Sequence, residues 1–175
     1  MNRRKLLSLT SALALSNCTI VRLKGVTTIT VNVNLVNTYV QAIKNGVVLL
    51  MSFPAVVAAI PIEDQLIIRE VVLDLAVATQ AFDTQAKGNL VLSFNANTVP
   101  DFISSIELDA KTLGFDFATV GPAIVASKIT QVASVYSAFQ FVIGLLRELL
   151  VGTKSAVDPK DIQQALSILG VTQVE

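Results

Sequence analysis

Histidine is absent from the 175 residues. That removes the commonest general base, the commonest zinc ligand and every serine–histidine or cysteine–histidine nucleophile. Cysteine occurs once, at Cys18, so no intramolecular disulfide can form. Tryptophan is also missing and aromatics make up 6% of the chain, so the core must be built from Val, Leu, Ile and Ala. Charge is scarce as well, at 15% of residues against about 25% in an ordinary soluble domain. The 13 basic and 13 acidic side chains cancel, leaving no broad positive field to neutralise phosphates. Nucleic acid is therefore not an expected partner. The eight glycines are dispersed and make no phosphate-cradling loop.

Apolar residues, by contrast, supply 53% of the chain. A length of 175 residues suits one domain with a real core. So much apolar surface with so little charge implies that a partner or a membrane hides part of it.

The first residues read as an address. Arg3, Arg4 and Lys5 form a positive segment, and Leu6–Leu15 is an apolar run of ten. Ten helical residues rise about 15 Å, half of a bilayer core of about 30 Å. Small residues follow, with Ala12-Leu13-Ala14 or Ala14-Leu15-Ser16 fitting a cleavage site. Asn2-Arg3-Arg4-Lys5-Leu6-Leu7 resembles a twin-arginine export signal, which implies export in the folded state. Leu15-Ser16-Asn17-Cys18 resembles a bacterial lipoprotein box, although Asn17 stands where Gly, Ala or Ser is expected. That resemblance implies lipid attachment at Cys18. The expected organisation is an export signal over 1–17, an extended arm over 18–35 and a helical domain over 36–175. The expected location is outside the cytoplasm, in the periplasm or cell envelope.

Val26–Leu35 alternates, with β-branched residues on one side, and predicts a strand that needs a partner. Leu90–Phe94 is the one candidate. Val36, Tyr39, Val40, Ile43, Val47 and Leu50 fall at helical spacing, and Pro54 ends or kinks that helix. Pro61, Glu63 and Asp64 mark the start of a third helical stretch that Gly88 stops. Thr98 and Asp101 suit the start of another, with Gly114 as its stop. Asp158 and Pro159 open a last helix that closes at Gly170.

The stretch around which the chain is organised is Thr119–Gly152, read as one long helix opened by Gly121-Pro122. Val125, Ile129, Val132, Tyr136, Phe139, Ile143, Leu146 and Leu150 step by fours and threes along one face. They form the expected stripe that meets a partner or lipid. The opposite face holds small residues, Ser127, Thr130, Ser134, Ser137 and Gly144, which suit close helix packing in protein or in a bilayer. The fold class is therefore all-α. It is expected to be a single bundle of four main helices plus a kinked segment around the long C-terminal helix, with minor extended or β pieces near 26–35 and 90–95.

Carboxylates offer the remaining route to chemistry. Glu63, Glu70 and Asp74 share one helical face, but that spacing also describes a solvated surface. No catalytic residue, metal ligand or cofactor is expected. The expected function is that of an exported, non-enzymatic helical protein acting by interaction, through a protein partner or self-association. The alternatives are a membrane-active or lipid-binding protein and, behind it, a carboxylate-dependent enzyme.

Overall fold

The computed structural model describes residues 18–23, 25–126, 129–153 and 157–172. The segment read as an export signal, 1–17, lies outside the described residues. Three strands and six helices follow in order: β1 (Cys18–Leu23), β2 (Val26–Asn32), α1 (Val33–Met51), α2 (Pro54–Ala59), α3 (Ile62–Ala86), β3 (Val91–Asn95), α4 (Asp101–Ala126), α5 (Thr130–Val151) and α6 (Pro159–Ile168). The protein is mostly helical, with one small sheet.

The sheet is antiparallel in the order β1-β2-β3. Pairing of the 26–35 stretch with the 90–95 stretch follows the sequence pattern, and Thr30 Oγ1 and Ser93 Oγ share a hydrogen bond of 2.6 Å across it. β1 was expected only as an extended arm; it folds back on β2 through a tight turn in which Gly25 takes φ +81°. A positive φ of that size favours glycine, since a Cβ there crowds the backbone. β2 stops at Asn32, short of Leu35. The Asn32 side chain accepts a hydrogen bond from the Leu35 amide at 3.1 Å and caps α1 instead.

Pro54 opens α2 at its first turn, after Ser52 has closed α1 by bonding back to Leu49. Gln65 then ties the α2–α3 corner by donating to the carbonyls of Val57 and Ile60. α3 ends where Lys87 and Gly88 both take positive φ, 50° and 78°.

The helix expected over Thr119–Gly152 is two helices. α4 runs from Asp101 to Ala126, past both Gly114 and Pro122, and α5 starts afresh at Thr130 after an extended Ile129. Gly114 does not stop α4. It lies buried beneath α5, where Gln140 Nε2 donates to its carbonyl at 2.9 Å and a Cβ would already touch Ile143. Gly121 is likewise a point of close approach, with the Tyr136 hydroxyl only 2.6 Å from where a Cβ would stand. Pro122 sits inside α4, and the helix continues only one further turn. The Thr98 hydroxyl does not cap α4; the Pro100 carbonyl takes the Ile103 and Ser104 amides instead.

α5 packs on α1, α4 and α6, and α3 packs on α4 and α1. Successive long helices run antiparallel. On α1 and α3 the pair Asn37–Asp83 meets, on α3 and α4 Phe82 meets Phe102, and on α4 and α5 Gly114 and Gly121 meet Gln140 and Tyr136. The core is aliphatic, with Tyr39, Phe82, Phe117 and Phe139 as its largest fully buried side chains. No polar or charged residue is fully buried among the described residues.

Candidate functional site

The stripe read from α5 is mostly interior. Val132, Phe139, Ile143, Leu146 and Leu150 are buried, and Phe139 stacks edge-on against Phe117 of α4 at 5.1 Å. Tyr136 is half-buried over Gly121, and Ile129, at the break before the helix, is 42% exposed. Val125 belongs to α4. So the stripe faces the chain's own helices over most of its length. Among the described residues α5 is the one helix long and apolar enough to cross a membrane, yet half of its most apolar stretch is buried within the fold.

The small face of α5 looks into an open groove against α6. Thr130, Ser134, Ser137 and Phe141 on one wall and Gln164 and Ile168 on the other enclose about 540 Å³. A second, more polar groove of about 330 Å³ lies between α1 and α3. There Asn37 donates to Asp83 at 2.7 Å, leaving its own Oδ1 buried without a partner.

The α3–α4 seam brings together acids that sequence spacing kept apart. Asp109 on α4 is pushed up to about 6, first by burial and then by the charge of Asp74 on α3. Asp116, two turns on, is also raised, by burial and then by Asp64. In each case one carboxylate oxygen is buried with no hydrogen-bond partner. A carboxyl kept near 6 has the proton affinity of a general acid. Neither groove just described is lined by Asp109 or Asp116, however, and no group of three or more acids or cysteines able to hold a metal occurs among the described residues. Glu63, Glu70 and Asp74 are all exposed, and of the three only Asp74 is brought against another acid by the fold.

What the fold adds is exposed apolar surface. On α3 the inward stripe is Ile68, Leu75, Ala78 and Phe82, all buried. A second stripe, Ile62, Leu66, Leu73 and Val77, stands 60–69% exposed on the other side of the same helix. Leu108 and Phe115 on α4 are 61% and 70% exposed. Sequence reasoning passed over this second stripe because a helix with apolar residues all round reads simply as core. Cys18 lies in β1 opposite Val31, at the end of the strand farthest from the turn.

No known protein family, curated protein or solved structure matches the chain.

Proposed function

We propose that this is an exported, non-enzymatic helical protein that works by interaction, as a component of an envelope or an oligomeric assembly. The observation that carries the reading is the two-sided α3. One apolar stripe satisfies the fold; the other, Ile62, Leu66, Leu73 and Val77, is left for something else. Four large side chains spaced by four, seven and four residues lie on a single helical face. A face of that kind is normally concealed in the working state. The long helices, each antiparallel to the next with α5 returning onto α1, support an up-and-down bundle of four with α2 as its kinked segment. The export reading rests on the three-part pattern of residues 1–17.

Self-association through α3 is the simplest form of this function, because a two-fold axis lets one stripe cover its own copy. Sedimentation of the purified protein in detergent-free buffer tests it. The unaltered chain is expected as a dimer or larger species, and Leu66→Glu with Leu73→Glu as a monomer of unchanged helicity. A monomer in both cases, at every concentration, removes the self-association form of the reading. The membrane-active reading is favoured by one different observation, the exposed hairpin at the start of the described chain.

A further inference from the structure

The outer stripe of α3 has unlike borders. At about 100° per residue, Ile62, Leu66, Leu73 and Val77 fall within about 60° of one another. Arg69 stands about 50° to one side of their midline and Glu70 about 50° to the other, and both are exposed. Glu63 and Asp74 share the side of Glu70, toward the α4 seam where Asp74 meets Asp109. The opposite side looks toward α1. Arg69, Ala76 and Asp83 follow one another there at two-turn steps. Asp83 accepts the Asn37 hydrogen bond, and Ala76 lines the α1–α3 groove together with Lys44. At the level of the apolar stripe one border is thus acidic and the other basic.

Symmetry decides what such borders can meet. A two-fold axis running along a helix pair sets each border of one copy against the opposite border of the other. An axis crossing between the helices makes them antiparallel and sets each border against its own kind. The first arrangement joins acid to base on both sides; the second brings the borders of Glu63, Glu70 and Asp74 face to face. We propose that two copies of the chain pair through these stripes with their α3 helices parallel, Arg69 of each copy meeting Glu70 of the other. Leu66 and Leu73 then pack on their own counterparts across the axis, and Asp74 faces the border that carries Lys44. One helix pair is a small interface, and its orientation is set by charge more than by area. The proposal rests on the self-association form of the function given above, and adds which way round the copies lie and which charges hold them so.

Disulfide trapping reads the orientation. Leu66→Cys and Leu73→Cys are made separately in the full chain and oxidised with diamide, and peptide mapping tells their bonds from any made by Cys18. Each variant is expected to cross-link to its own copy, because parallel pairing keeps both positions within disulfide reach of their counterparts. In an antiparallel pair at most one of the two positions can lie on the axis, and the other is then about 21 Å from its counterpart. Arg69→Glu is expected to weaken dimerisation about 30-fold by sedimentation, since each lost attraction and each new repulsion occurs twice. Glu70→Arg alone also weakens it, and the two exchanges together restore most of the affinity. Circular dichroism checks that each variant keeps its helices. The proposal is overturned if a dimer forms but only one position, or neither, cross-links. It is equally overturned if the double exchange pairs no better than Arg69→Glu alone, and in both cases the self-association reading still stands. A chain that stays monomeric throughout, with its stripe on lipid or on another protein, removes both.

Discussion

Replacing Asp109 by Asn is expected to make the protein more stable at neutral pH and to flatten its response to acid. In the fold, burial and then Asp74 push the Asp109 carboxyl from 3.8 to about 6. Its native form therefore holds a proton more tightly than its unfolded form does. Below about pH 4 the group is neutral in both states and has no effect on stability. As pH rises from 4 to 6 the unfolded chain gives up its proton first, and the fold loses stability progressively. Above 6 the loss is complete. At about 1.36 kcal/mol per pH unit, the whole rise would come to about 3 kcal/mol. Asp109 is only partly buried, so solvent screening reduces this to about 1–1.5 kcal/mol. Asp116 acts in the same direction through burial and Asp64.

Urea unfolding at pH 5.0 and 7.5 measures the effect, with the midpoint converted through a common slope. Asp109→Asn should gain about 1 kcal/mol at pH 7.5 and about half of that at pH 5.0. Asp74→Asn should recover a smaller part of the same gain, since burial is the larger cause and remains. If Asp109→Asn loses stability at pH 7.5, the carboxylate has a favourable partner, and the account of the seam is wrong.

Further predictions concern packing and caps. Gly46→Ala should destabilise by about 1 kcal/mol despite better helix propensity, because its Cβ would stand 2.6 Å from the buried ring of Phe139; thermal unfolding reads this. Phe139→Ala empties a site enclosed by Phe117 and Gly46 and should cost about 3–5 kcal/mol by urea titration. Asn32→Ala removes the cap that ends β2 and starts α1, at about 1 kcal/mol, and should speed amide exchange in the first turn of α1. A result near zero for Phe139→Ala would mean that α5 is not the central helix.

Stop and start signals make several elements legible in the sequence itself. Pro54, Pro61, Gly88 and Asp158 act within a turn or two of themselves, and α1, α3 and α6 begin and end close to them. The division between α4 and α5 was illegible for the opposite reason. Apolar steps continue evenly from Val125 across Ile129 to Val132, so periodicity reports no break although α4 ends at Ala126 and α5 starts afresh at Thr130. Gly114 looked like a stop because glycine is a poor helix former; its actual use is to let α5 come close, which only the neighbour reveals. The apolar character of the α5 stripe was plain, but the direction it faces depended on α1 and α4. Asp109 meets Asp74, and Asp116 meets Asp64, across two helices, so no local spacing could announce them.

The ladder joining β2 to β3 links positions 63 apart in the chain, as between Thr30 and Ser93. A ribosome adding about 5–20 residues each second needs about 3–13 s to deliver the second strand after the first. The β1–β2 turn closes in microseconds, so the hairpin waits with Ile29 and Val31 uncovered. For those seconds the newborn chain offers a sticky ribbon to any companion nearby, and whatever escorts it during synthesis must hold that ribbon before the helices arrive to shelter it.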